Sequence, residues 1–270
     1  TRSSTTRTGP ERTAALSTNQ EDRQWRMFYF VQDSWRVTRK LTLSVGIRWD
    51  TWFPDSSIRP GQGSRYDVVL DKFLIAGLGS NGGRAGVQTQ STNFSPRLGI
   101  AYQLDSKTVI RSGFGRSYWM EIFGLLFNNI ANGYPTQIGQ SVPQVSPYKP
   151  VIDLATGPPA QVFPNVPTDG ILERPPNQGA TYIPPDLHYP TTIAWNLSVE
   201  RLVGKAVTAN VAYVGNVTRN HGMGMRLNRA LPGPGPLPER RPMYPRIIID
   251  INNNQLNGST HYESLQLKGT

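Results

Sequence analysis

The sequence predicts an all-β fold: a partial antiparallel up-and-down transmembrane β-barrel with about seven long strands. Three observations favour this fold class. Apolar and polar residues alternate along the candidate strands, most strand lengths are close to the roughly 9–11 residues that cross a bilayer, and short turns alternate with long loops. A soluble β-sandwich explains the alternation but neither the strand lengths nor the one-sided arrangement of the loops.

The first predicted hairpin spans residues 25–52. From Leu41 to Trp49 every second residue is apolar, so that one side of the strand is apolar and the other polar. The strand before it follows the same pattern less cleanly, because Phe28 and Phe30 fall on the polar parity. Three polar residues, 38–40, make the turn between the two strands.

The same unit recurs along the chain. Further hairpins are predicted at 94–118 and 192–215, with turns at 105–107 and 203–205, and a last strand begins at 261. Long loops are predicted at 53–93, 119–189 and 216–260. Outer-membrane barrels have short periplasmic turns and longer extracellular loops, which orients the predicted wall.

Composition excludes several other classes of protein. No apolar run approaches 18 residues, so no transmembrane helix is predicted, and the absence of cysteine excludes disulfides. The net charge of +10 is scattered without a run of five basic residues, so we predict no nucleic-acid partner. Basic loops suit an anionic membrane surface equally well. The polar start without an initiator Met leads us to expect an internal piece of a longer chain.

No catalytic, cofactor or metal motif is convincing. Residues 77–82 match G-x-G-x-x-G, but neither a helix start nor a suitably placed acidic residue follows, so we interpret the match as chance. His188, His221 and His261 lack any metal-ligand spacing. We therefore predict no enzymatic activity, no cofactor and no metal site.

Aromatic residues gather near the predicted strand ends, where barrels place their interface girdles. Those predicted at a membrane interface are Trp35, Trp49, Trp52, Tyr118, Trp119, Tyr189 and Tyr213.

Six segments also resemble the TonB-dependent outer-membrane receptors, most closely an Oar-like subgroup. FYFVQDSWRVTRKLTLSVGIRW (28–49) is similar to the family hairpin YVQDxWRVTxxLTLNLGxRY, and FSPRLGIAY (94–102) to FxPRLGxAY. TVIRSGFG (108–115), AWNLSVER (194–201), VAYVGN (211–216) and HYESLQLK (261–268) resemble further family strands. The matches fall on all seven predicted strands, whereas the loops carry no family motif.

The resemblance implies gated import of a solute, driven by the inner-membrane proton gradient through TonB. The plug, the TonB-contacting box and a regulatory-like domain would then lie in a missing N-terminal region. Outer-membrane lipid, the TonB complex and an unknown solute are the implied partners.

Polar-parity residues of the strands are the candidates for lining the lumen: Arg48, Asp50, Arg97, Arg111 and Glu200. Charges there remain hydrated and tune selectivity. The alternative, which we favour, is that they form salt bridges with neighbouring strands or with the plug. Two other functions also stay open: a structural or adhesive outer-membrane protein that does not transport, and a soluble secreted β-rich binding module.

Overall fold

The structure, a computed structural model, describes residues 12–17, 21–120, 128–131, 133–142, 155 and 163–270. Seven long strands form one wall and are labelled in chain order: β1 (Arg26–Arg36), β2 (Leu41–Trp52), β3 (Phe94–Gln103), β4 (Thr108–Tyr118), β5 (Thr191–Val203), β6 (Val207–Arg226) and β7 (Asn252–Gly269). Each pairs antiparallel with the next along the chain. The predicted fold class is confirmed.

The two last strands are longer than the sequence pattern indicates. β6 continues to Arg226 and β7 begins at Asn252, so that the connection predicted at 216–260 is shortened to residues 227–251. The register of this pair shifts around His221, and Asn220 has a φ of 58°. Such a bulge interrupts the alternation of faces. The sequence therefore shows no continuous period-two pattern across the bulge, and the strand is predicted too short.

Cross-strand pairing gives the wall two distinct faces, because directly paired residues point to the same side of a sheet. The apolar face carries one continuous ladder of pairs, for example Val45 with Leu98, Leu98 with Phe114, and Phe114 with Trp195. The polar face carries the alternate residues, such as Ser44 paired with Gly99. The wall is therefore two-sided along its whole width, as the alternation predicts.

The hairpins are staggered along the wall. Leu41, Tyr102, Ile110, Val199 and Val211 form one row of paired residues. The first hairpin has its last residue pair at Thr42, one residue above this row on the side of the long loops. The second hairpin has its last pair at Gln103, one residue below the row. The third hairpin ends at Val203, four residues below Val199. A progressive stagger of this kind accompanies strand tilt in a curved, barrel-forming sheet.

Short elements join the long connections into a folded unit above the wall, which we call the cap. Its sheet, the cap sheet, has the order Ile171–Glu173, Lys72–Ile75, Ser64–Asp67 and Thr181–Tyr182, and the last of these strands pairs with β7. Six side chains form its apolar core: Tyr66, Phe73, Ile75, Leu172, Ile247 and Ile251.

Other short elements lie beside the cap. Arg12–Ser17 pairs with Gln137–Val142, and Asp22–Arg23 pairs with Ser56–Ser57. The helices are α1 (Asn128–Ala131) and a 3₁₀ turn at Pro238–Arg240. Within the described ranges, no helix has both the length and the apolarity that a membrane crossing requires. Much of the connection predicted at 119–189 lies outside the described residues.

The two faces of the wall predict different changes in stability when a charged residue is introduced. Val211→Arg on the apolar face is expected to lower the free energy of unfolding by about 2–4 kcal/mol, the cost of Arg near the bilayer midplane. Ala212→Arg, its neighbour on the polar face, should change it little. Urea unfolding in lipid vesicles measures both, and equal destabilisation would contradict the assignment of faces.

Candidate functional site

All five residues predicted to line the lumen lie on the polar face. Register places Arg48 opposite Ser95, and Arg97 opposite both Gly46 and Gly115. Arg111 pairs with Ser198 and Glu200 with Val109 on the same side. The alternation alone therefore predicted which side they share. That this side faces a lumen stays a prediction.

Ion pairs hold several of these charges on the wall. Arg48 pairs with Asp50, whose side chain is almost completely buried, and its guanidinium also lies 5.2 Å from the centre of the Phe28 ring. Arg111 Nη1 lies 3.4 Å from Glu200 Oε2, which links β4 to β5. Only the Arg111–Glu200 contact joins neighbouring strands, as the favoured alternative expects, because Arg48 and Asp50 lie on the same strand.

Arg97 differs from its neighbours, since it makes no ion pair within the part of the chain that the structure describes. It lines an open notch of about 220 Å³ together with Phe30, Gln32 and Arg48. Gly46 forms the notch floor, and a Cβ there would lie 3.3 Å from the Gln32 side chain. The notch is therefore a basic indentation of the polar face.

Four of the seven predicted interface aromatics occupy apolar-face positions of the wall: Trp35, Trp49, Tyr118 and Tyr213. Trp35 and Tyr213 are exposed there. Trp49 stacks on Tyr29 with ring centres 5.6 Å apart, and its indole N–H donates to the Ser91 carbonyl at 2.6 Å. An exposed apolar ring with a satisfied polar end is the behaviour expected at a membrane interface. Their position in a membrane stays a prediction.

Tyr118 is not exposed, because it is buried in one cluster with two further aromatics of the set, Trp52 and Tyr189. Trp52 lies on the polar face, because it is three residues from Trp49 and an odd spacing along a strand reverses the side. Trp119, the last of the seven, directly follows β4, and its ring centre lies 5.6 Å from that of His221 at the bulge of β6. These four thus occupy the junction between wall and cap instead of an open apolar surface.

Tyr189 joins two long loops to the top of β2. Its hydroxyl donates to the Trp52 carbonyl at 2.9 Å, and its backbone N–H donates to Gln90 Oε1 at 2.6 Å. Burial raises the pKa of Tyr189 to about 12, so that the hydroxyl remains a donor at neutral pH. The sequence analysis missed this role, since a single Tyr gives no signal of a partner 137 residues away.

A buried polar network connects the first long loop to the second. Arg174 donates to both carboxylate oxygens of Asp71, at 2.6 and 3.1 Å, and the Tyr66 hydroxyl donates to Asp71 Oδ1 at 2.6 Å. Burial acts to raise the pKa of Asp71, but the bonds from Arg174 and Tyr66 outweigh it and lower the pKa overall. Asp71 therefore stays ionised and holds both partners.

The third long loop joins the cap through Asn228 and Arg246. The Asn228 amide donates to the carbonyls of Ile247 and Ile249, each at 2.8 Å, and accepts from the Met243 N–H at 2.9 Å. Arg246 donates to the carbonyls of Val68 and Val69 in the first loop. The three loops therefore form one hydrogen-bonded unit.

The described residues contain no group of three His, Cys, Asp or Glu placed to hold a metal ion.

Comparison with known proteins decides the family. A family model described as "Outer membrane beta barrel domain" matches residues 7–270. The chain belongs to this family. It is accordingly a β-barrel protein of the bacterial outer membrane. No protein of curated function matches the sequence significantly.

Solved structures similar to this barrel domain are larger proteins. The siderophore receptor PirA from Pseudomonas aeruginosa is 12% identical, with a TM-score of 0.44 over 90% of this chain and 30% of that one. The outer membrane transporter YddB from Escherichia coli is 16% identical, with a TM-score of 0.46 over 90% and 21%. The copper transporter OprC is 10% identical, with a TM-score of 0.45 over 91% and 26%. The barrel domain thus spans less than a third of each structure.

The Asp71 network predicts a large local effect of one substitution. Asp71→Asn removes the charge opposite Arg174, whose side chain is 2% exposed, and should destabilise the cap by about 3–5 kcal/mol. Hydrogen exchange of residues 64–75 and 171–182 measures this opening. Because the pKa of Asp71 is lowered, wild-type protection should persist as the pH falls to the ordinary Asp value and disappear only below it.

A matched control comes from the Lys72–Glu173 pair on the solvent side of the same cap sheet, where Glu173 is 78% exposed. Glu173→Gln should leave the exchange within about 1 kcal/mol of wild type, as is usual for exposed pairs. Equal effects of the two substitutions would show that the buried network does not hold the cap.

Asp55 predicts a pH effect of opposite sign at the junction of wall and cap. Burial and the nearby Asp22 charge raise the pKa of Asp55 to about 6. The folded state then binds the proton more tightly than the unfolded chain, so stability falls as pH rises from about 4 to about 6. Asp55→Asn should stabilise residues 53–58 above that range by about 1–3 kcal/mol, at about 1.4 kcal/mol per pKa unit, and have no effect below it.

Hydrogen exchange of residues 53–58, compared at pH values on either side of this range, tests that expectation. Asp186→Asn, an exposed carboxylate near the cap, is the control and should change nothing at either pH. Destabilisation by Asp55→Asn at neutral pH would contradict the assigned cause of the shift.

Proposed function

We propose that this barrel domain is part of the wall and extracellular loops of a TonB-dependent transporter, which binds a solute outside the cell and imports it. The observation that carries the proposal is the folded cap. Loops that only connect strands need no core or buried ion pairs. Here three connections share an apolar core, the Asp71 network joins the first two, and Asn228 forms buried hydrogen bonds within the third. An ordered cap beside a polar wall face suits specific capture of a solute.

The sequence motifs point in the same direction. The resemblance to TonB-dependent receptors falls on the strands β1–β7, which are wall elements, and the loops carry no family motif. This distribution suits a common transport scaffold with solute-specific loops. The TonB complex would act through the plug and TonB-contacting box of the longer protein, and the Oar-like subgroup remains part of this proposal.

A structural or adhesive role without transport is the second candidate. The exposed aromatic residues of the apolar face and the basic loops also suit attachment to surfaces. Attachment requires no energy source.

Solute depletion from the growth medium tests the proposal in cells. Cells that carry the full-length protein should remove at least one solute that a deletion strain leaves behind, because import by this route has no substitute in that strain. The removal should stop in a strain without TonB and on addition of a protonophore. The medium is analysed by mass spectrometry.

Identical media from the wild-type and deletion strains would contradict transport. Loss of surface attachment by the same deletion strain would then support the adhesive role. A variant with Glu173→Gln serves as the control for expression and surface display, because that exposed residue contributes little to the fold.

A further inference from the structure

A cleft lies between the cap sheet and the upper ends of β6 and β7. Its volume is about 300 Å³, at the lower end of the range of about 300–1,000 Å³ that is typical of small-molecule sites. Tyr66, Phe73 and Tyr134 contribute aromatic lining, whereas Arg226 and Asp250 bring charge from the ends of the third loop. We call this space the cap cleft.

The aromatic lining of the cap cleft is held in place before any ligand arrives. The ring centres of Tyr66 and Phe73 are 5.4 Å apart, and those of Phe73 and Tyr134 are 5.2 Å apart. Asp71 holds the Tyr66 hydroxyl, and the Ser64 hydroxyl donates to the Tyr134 carbonyl at 2.6 Å. A lining fixed by its own contacts costs little ordering on binding.

The polar lining retains unused hydrogen-bonding capacity. Arg226 Nη1 lies 3.9 Å from Asp250 Oδ2, too far for a hydrogen bond. Asp250 Oδ1 is buried and, among the described residues, has no hydrogen-bond partner. Gln137, Gln178 and Asn252 also line the cleft, and of these Gln178 already donates one hydrogen bond from Nε2 to the Gly179 carbonyl at 3.1 Å. Donors and acceptors are thus mixed at close range, and the two charges cancel.

This combination discriminates between classes of ligand. A multiply charged anion gains nothing from a site with no net charge and is repelled by Asp250. An apolar ligand would bury Asp250 and the amides without partners, at a cost of about 1–3 kcal/mol for each group. Adjacent hydroxyls can donate to a carboxylate and accept from a guanidinium, and the C–H face of a sugar ring packs against an aromatic side chain.

We infer that the cap cleft binds a neutral sugar unit of the solute that this protein captures. That the sugar belongs to an imported solute rests on the proposed transport function. That the ligand is a neutral sugar rests on the cap cleft alone. Asp250 and Arg226 bind adjacent hydroxyls of the sugar, Gln178 and Asn252 bind further hydroxyls, and Tyr134 packs on the ring.

Binding to an array of short neutral oligosaccharides tests this inference. The full-length protein, purified in detergent and fluorescently labelled, is applied with uronic-acid polymers and peptides on the same array. Neutral oligosaccharides should bind selectively. Asp250→Asn and Arg226→Gln should each weaken the binding at least about tenfold, because each removes a hydrogen bond to a charged group.

Two exposed residues outside the cap cleft serve as matched controls. Asp186→Asn and Arg229→Gln make the same chemical changes and should leave the affinity at the wild-type value. Hydrogen exchange of residues 64–75 confirms that the cap of each variant remains folded. A variant with an opened cap is replaced by Gln178→Ala, for which the same direction of change is expected.

Three results would overturn the inference: no binding of any neutral oligosaccharide, preference for the peptides or the uronic-acid polymers, or unchanged affinity in the Asp250 and Arg226 variants. Binding in detergent needs no membrane energy and no TonB. Sugar binding without energy-dependent uptake would therefore contradict the proposed transport but would still support the cap cleft as a sugar-binding site. Uptake of a solute without sugar units would contradict the cap cleft alone.

Discussion

Backbone hydrogen bonding is the constraint on which the rest of this structure depends. Hydrocarbon offers no partner to a peptide N–H or C=O, so a strand that crosses a membrane must be paired on its neighbours. The five inner wall strands meet this demand by pairing on both sides in chain order, whereas among the described residues β1 and most of β7 are paired on one side only. Once pairing fixes the ladder, the side of every residue follows. Pairing alone therefore places the polar wall residues from Arg48 to Glu200 on one face.

The cap obeys a different rule, because it lies beyond the ends of the apolar ladder. Its strands are only two to four residues long and cannot be stable by pairing alone. Buried polar contacts contribute further stability to the cap. Asp71 links the first loop to Arg174 in the second, and Asn228 organises the third. The bond from the Tyr66 hydroxyl to Asp71 also fixes one side of the cap cleft, which Tyr66 lines.

Side-chain position along a strand explains the two kinds of aromatic residue at the upper end of the wall. Trp49 and Trp52 are close in sequence, yet Trp49 lies on the apolar face and Trp52 lies on the polar face beneath Tyr189. Proximity to strand ends led to the prediction that both belong to a membrane-interface girdle. Parity within β2 separates them, and the sequence already contained that information.

The sequence by itself determined the wall: fold class, hairpin order, short turns, and the face of residues such as Arg97 and Arg111. Period-two patterning is local, and it survives in a strand because alternate residues necessarily point to opposite sides. Only the tertiary structure decided the cap, the extension of β6 past its bulge at Asn220, and the partners of Tyr189 and Asp250. Asp71 and Arg174 are separated by 103 residues. No local pattern relates such residues, because their contact depends on how three loops pack together.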